Sequence, residues 1–166
     1  MRKYFGIITL LAAFVFAASC DRTETPQEKA PIVIYDGPVD LVDQGFGMYY
    51  GDKNMNNVGV YYIVLSDAIC NRDGYGTPYL DSEGDMLVLE FNSALQPEDA
   101  PVMIPEGEYV ISATKGSTPS IDIDASYLKK LVGNTQYHYS LVSGSVNVMK
   151  TSSGDYDIIT KDLKVE

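Results

Sequence analysis

The chain has no tryptophan, one histidine and two cysteines among 166 residues. Each scarcity removes a class of chemistry. A Ser-His-Asp or Cys-His site would have to use His138. That residue lies between Tyr137 and Tyr139 in a strand-like run, so its side chain points opposite to theirs. No G-x-S-x-G elbow is present. A structural zinc site wants four N or S ligands, which one histidine and two cysteines do not supply. Bases are also few, with 12 Lys and Arg against 23 Asp and Glu and a formal net charge of −11. A nucleic-acid footprint would be basic, so that class is excluded. No apolar run reaches the roughly 20 residues of a membrane-spanning helix.

The longest apolar run is N-terminal and has the three parts of a secretory signal. Arg2 and Lys3 form a positive start, Tyr4 to Ala18 is apolar apart from Thr9, and small residues follow. Ala17-Ala18-Ser19-Cys20 resembles a bacterial lipobox, in which the cysteine is lipidated and everything before it is removed. The expected organisation is a signal peptide over 1–19, a lipidated Cys20 with a polar tether to residue 30, and a single domain over 31–166. Cleavage lowers the basic count from 12 to 10 and leaves 23 acids, a mature charge near −13 over 147 residues. Each buried CH₂ of an acyl chain contributes about 0.8 kcal/mol, so two or more chains hold firmly. The partner implied is a membrane, reached through a tether of about 33 Å. Cys70 is then the one remaining thiol, read as a small buried apolar residue rather than a nucleophile. No intramolecular disulfide is available, so stability must come from a core.

After residue 31 the punctuation is that of a β protein: short alternating apolar runs bounded by Gly, Pro, Asn and Asp. Residues 45–50 and 58–66 flank a polar loop and predict a hairpin. Leu87, Leu89 and Phe91 share one face of a strand over 85–93. Two long strands, 136–150 and 155–165, flank Thr151-Ser152-Ser153-Gly154, with Gly144 marking a bulge or break in the first. Asp124 to Val132 predicts the one helix, capped by Asp124 and stopped by Gly133. The sum is an all-β, mostly antiparallel sandwich of eight or nine strands with one short helix. The alternative is a closed, lipocalin-like barrel carrying an apolar molecule in its lumen.

Candidate sites are sparse. Asp52-Lys53-Asn54-Met55-Asn56 copies the start of a calcium loop, but position six is Asn57 rather than Gly and position twelve is Ile63 rather than Glu. It reads as a hairpin turn, and no metal or other cofactor is expected. Asp122 and Asp124 could serve a carboxylate hydrolase. With Ile121 and Ile123 facing the core, however, both carboxylates should simply face water. Asp81, Glu83 and Asp85 read the same way. Tyrosine is the enriched group, with 13 in the chain. Tyr49-Tyr50 and Tyr61-Tyr62 should face each other across one hairpin, one member of each pair on either face. Cross-strand packing explains them. The functional reading is a stacking platform for a sugar ring or flat ligand, since tyrosine joins an apolar face to a polar tip. These four are the candidate ligand-binding residues.

Tyr49-Tyr50-Gly51-Asp52, Tyr61-Tyr62-Ile63-Val64-Leu65-Ser66-Asp67, Leu87-Val88-Leu89-Glu90-Phe91, Ile104-Pro105-Glu106-Gly107-Glu108-Tyr109 and Ser143-Gly144-Ser145-Val146-Asn147-Val148 are spaced over residues 45–160. This pattern resembles an uncharacterised β-rich lipoprotein family of Bacteroidetes. The resemblance implies no activity. It implies export to the outer membrane, where many such lipoproteins assist glycan capture, and so a glycan or protein partner and a non-catalytic role. Asp21 and Glu24 with Arg22 between them leave the membrane face, periplasmic or external, open.

Overall fold

A computed structural model describes residues 33–38, 44–97, 99–114 and 116–166. Cys20 and the leader lie outside the described residues. All regular structure described is β. The strands are β1 (Val33–Pro38), β2 (Gln44–Tyr49), β3 (Gly59–Ser66), β4 (Cys70–Arg72), β5 (Pro78–Leu80), β6 (Gly84–Ser93), β7 (Gly107–Ser112), β8 (Ser120–Asp122), β9 (Tyr127–Val132), β10 (Thr135–Lys150) and β11 (Tyr156–Val165). Nine of them form one sheet, while β4 and β5 form a separate hairpin.

Two long strands organise the sheet by changing partner along one edge. β6 pairs with the whole of β3 over Met86–Ser93, and its other edge takes β9 from Gly84 to Val88, then β8 at Phe91 and Asn92. Ser126 bridges the gap between them, its Oγ accepting the Glu90 N–H at 2.9 Å. β10 behaves alike, taking β9 over Thr135–Ser140 and β7 over Ser145–Val148. The change falls at Gly144, at φ +122°, where the register to β11 also shifts. A Cβ there would lie 2.7 Å from the Asp162 carbonyl oxygen, so the break requires glycine. β7 and β8 pair in parallel. The path β6–β9–β10–β7–β8 therefore returns to β6 as a closed ring of five strands. The closed-barrel alternative fits this better than the open sandwich. β3 with β2, and β11 with β1, extend the ring as two wings.

The ring does not enclose an empty lumen of the lipocalin kind. Leu87, Leu89 and Phe91 pack as one cluster with Tyr109, Ile121, Leu128, Tyr139, Leu141 and Val146, all buried. The opposite face of β3 and β6 carries a second cluster, Val64, Met86 and Val88 with Ala68 and Leu80, beneath the β4–β5 hairpin. β6 is therefore covered on both faces.

The predicted helix over Asp124 to Val132 is overturned: Tyr127–Val132 is β9, paired on both edges. About nine residues make a marginal helix. Gly133-Asn134 instead forms a two-residue hairpin loop, with Val132 opposite Thr135 and Gly133 at φ +59°. The residue read as a helix stop is a hairpin turn. The water-facing expectation for Asp122 is also corrected. Ile121 is buried as expected, but Asp122 on β8 is buried too, its Oδ1 accepting the Asp124 N–H at 2.9 Å. Asp124 is exposed as predicted.

Candidate functional site

The β2–β3 hairpin sets the four tyrosines in register, Tyr49 opposite Tyr61 and Met48 opposite Tyr62. Alternation then separates the pairs by face. On the inner face the Tyr49 and Tyr61 rings lie 4.7 Å apart. Both hydroxyls are engaged: Tyr61 donates to the Ala94 carbonyl at 3.0 Å, and Tyr49 accepts the Gln96 N–H at 2.9 Å. Burial pushes the Tyr61 phenol well above its ordinary pKa, with Tyr49 and Tyr109 adding to the effect. This pair anchors the segment after β6, and its chemistry is that of packing.

The outer pair is different. Tyr50 is exposed, and its ring meets Tyr62 edge-on at 6.2 Å. Burial first, then the neighbouring Tyr127 hydroxyl, raises the Tyr62 pKa. Beside them is a hollow of about 220 Å³ lined by Tyr50, Lys53, Tyr62, Tyr75, Pro78 and Glu90. Glu90 is only 4% exposed. Its Oε2 accepts from Lys53 Nζ at 2.9 Å, and that ammonium lies 5.4 Å from the Tyr50 ring centroid. Tyr75 stands at the rim, 98% exposed. Its loop is ordered from beneath, because Asp73 Oδ1 accepts the Tyr75 and Thr77 N–H groups, each at 2.8 Å. The hollow thus combines three tyrosines with a buried carboxylate and an ammonium.

The sequence named all four tyrosines. The structure brings Tyr50 and Tyr62 to the hollow, commits Tyr49 and Tyr61 to packing, and adds Tyr75, Lys53 and Glu90, which the sequence did not single out as ligand-binding. Two signals were available. Glu90 interrupts the apolar run of β6, and Tyr75 sits between glycines in Gly74-Tyr75-Gly76, where an exposed aromatic has no packing role.

The remaining candidates are held by local structure. Asp52 uses both carboxylate oxygens on its own loop, accepting the Asn56 N–H at 2.9 Å and the Asn57 N–H at 3.0 Å. This is the hairpin-turn role read for it. Asp81 and Glu83 are exposed as expected, accepting from Asn71 and from the Gly133 N–H. Asp85 does not simply face water: its side chain is 14% exposed and pairs with Lys130 across the β6–β9 ladder at 2.9 Å. No cluster of three or more His, Cys, Asp or Glu among the described residues could hold a metal ion. His138 is exposed and stacks on Tyr127 with centroids 4.8 Å apart. Desolvation, then Lys129, lowers its pKa, so the neutral ring is favoured. It shares a hollow with Asp124, Ser126 and Ser140. Ser126, however, is buried and bound to the β6 backbone, which is no position for a nucleophile. Cys70 packs against the second core cluster, in keeping with an apolar role, but it is only partly buried rather than buried and begins the separate strand β4.

No family model, curated protein or solved structure matches the chain.

Proposed function

We propose that the chain is a lipid-anchored domain that binds a ligand outside the cytoplasm without transforming it, and that the ligand is a glycan taken by the outer hollow. The observation that carries this reading is the grouping of Tyr50, Tyr62 and Tyr75 around the Lys53–Glu90 pair. Sugar rings present C–H faces to aromatic rings and hydroxyls to charged groups. Tyrosine supplies the first here without tryptophan, and the buried carboxylate supplies a strong acceptor for the second. The filled ring interior argues against a carrier that holds its cargo in a central lumen.

The anchor and the binding are tested separately. In cells fed a clickable fatty acid, the chain should be labelled and Cys20→Ser should not. Label persisting in Cys20→Ser sinks the anchor and leaves the binding reading intact. For binding, the Cys20→Ser chain is screened against a glycan panel by thermal shift. At least one glycan should raise the melting temperature, and Tyr75→Ala should weaken that glycan by about two- to ten-fold, the worth of one aromatic contact. Tyr75 is almost fully exposed, so its loss should leave the unliganded melting temperature unchanged. A panel with no shift, or equal binding by Tyr75→Ala, refutes the hollow as a glycan site.

A further inference from the structure

On the other face of the same hairpin, β2 directs Gly45, Gly47 and Tyr49 inward, opposite Leu65, Ile63 and Tyr61. Two of these three positions therefore have no side chain. The floor is the buried Ile63 and the half-buried Leu65, and the facing wall is Ile158 and Tyr156 of β11 with Val102 and Ile104 of the connection before β7. The result is a cleft of about 460 Å³ between the wings, outside the packed ring. Small-molecule sites typically measure about 300–1,000 Å³ and are apolar with a few placed polar groups. One such group is present. Tyr156 Oη is buried and has no hydrogen-bond partner among the described residues. Its neighbours Tyr61 and Tyr109 have already committed their protons, to the carbonyls of Ala94 and Pro105 at 3.0 and 2.6 Å. A buried hydroxyl left unpaired forfeits its hydrogen bond to water, a loss that a ligand group would relieve.

We infer that this cleft binds a neutral amphiphile, an aliphatic body with one hydroxyl or carbonyl group, whose chain lies over Gly45 and Gly47 and whose polar group pairs with Tyr156 Oη. The aliphatic lining selects the body and the single unpaired hydroxyl selects the head. A carboxylate head is disfavoured. The same desolvation that holds the Tyr61 and Tyr109 phenols protonated would act on an anion seated beside them. Strand alternation puts this cleft and the outer hollow on opposite faces of the hairpin, and of their lining residues they share Tyr62.

The probe is N-phenyl-1-naphthylamine, neutral and apolar with one N–H, whose fluorescence rises on leaving water. It is titrated into the Cys20→Ser chain, with 1-decanol and decanoate as competitors at neutral pH. Fluorescence should saturate, and decanol should displace the probe at lower concentration than decanoate. Gly47→Leu should abolish the saturable signal by filling the cleft. A Cβ at Gly47 would meet only the Tyr62 carbonyl oxygen, at an ordinary 3.7 Å, so folding should persist and an unchanged β-type circular dichroism spectrum checks it. Tyr156→Phe should keep probe binding but weaken decanol by about two- to ten-fold, the net worth of one hydrogen bond. Absence of a saturable signal, or equal probe binding by a folded Gly47→Leu, overturns the site. Stronger displacement by decanoate, or undiminished decanol affinity in Tyr156→Phe, overturns the neutral head group paired to Tyr156.

Discussion

Phe91→Ala should cost about 3–5 kcal/mol of stability, the range for emptying a large aromatic site in a core. Several features put Phe91 toward the upper end. Its side chain is fully buried in the main cluster. At this residue β6 is paired on both edges, to Tyr61 of β3 and to Ile121 of β8. Those ladders hold the neighbouring backbones apart, so the walls of the new cavity cannot close over it. The ring also meets Tyr109 edge-on at 4.8 Å, an arrangement that contributes about 0.5–1.5 kcal/mol beyond area burial. Tyr109 in turn holds the segment before β7 through Pro105, so the loss would spread to the parallel β7–β8 pair that closes the ring. Denaturant unfolding should show a lower midpoint for Phe91→Ala, with Tyr75→Ala as an almost fully exposed comparison changing stability by no more than about 0.5 kcal/mol. A cost for Phe91→Ala below about 1 kcal/mol would contradict a ring packed around this residue.

That ring was the least legible part of the fold, for a physical reason. Hairpins carry their signal locally. Residues 45–50 and 58–66 alternate around a polar loop, and the tyrosine pairs state the register, so β2 and β3 could be read directly. β10 and β11 were legible for the same reason, and Gly144 announced the break between the two partners of β10. Closure depends on contacts with no local trace. β8 is three residues long, too short to display a period, and its parallel pairing with β7 is set by the tertiary fold. β9 carries the marks of a helix, because Asp124, Lys129, Lys130 and Gly133 imitate helix ends. Two neighbouring edges, from β6 and β10, offer its backbone a full set of sheet partners, and such tertiary pairing overrides weak local preference. The site followed the same division. Alternation put one tyrosine of each pair outward without saying which, and the register with the core contacts of β3 identifies them as Tyr50 and Tyr62. The grouping with Lys53, Tyr75 and Glu90 needs the 73–78 loop folded against the outer face of β3 and β6, and Lys53 and Glu90 are 37 residues apart.

Lys53→Met should reveal what that pair does. The substitution keeps most of the side-chain volume and removes the ammonium, leaving the Glu90 carboxylate buried without its 2.9 Å partner. Breaking a buried pair typically costs about 3–5 kcal/mol. The Lys53 side chain is 47% exposed, so water screens the pair and a smaller cost of about 1–2 kcal/mol is expected. Adding Glu90→Leu should restore much of the loss, because an apolar residue in this position has no charge to desolvate. A purely structural pair would end there, with the double variant stable and ligand binding unaltered. A glycan-binding pair behaves differently. Glu90→Gln keeps the shape of the hollow but exchanges a charged acceptor for a neutral one, and hydrogen bonds to charged groups are worth about 1.5–3 kcal/mol against about 1 for neutral ones. The glycan identified by thermal shift should therefore bind Glu90→Gln about three- to thirty-fold more weakly. The stable double variant should show no shift at all with that glycan. If instead it shifts as the parent does, Lys53 and Glu90 serve only to seat the 51–57 loop, and the contact with ligand falls to the exposed tyrosines alone.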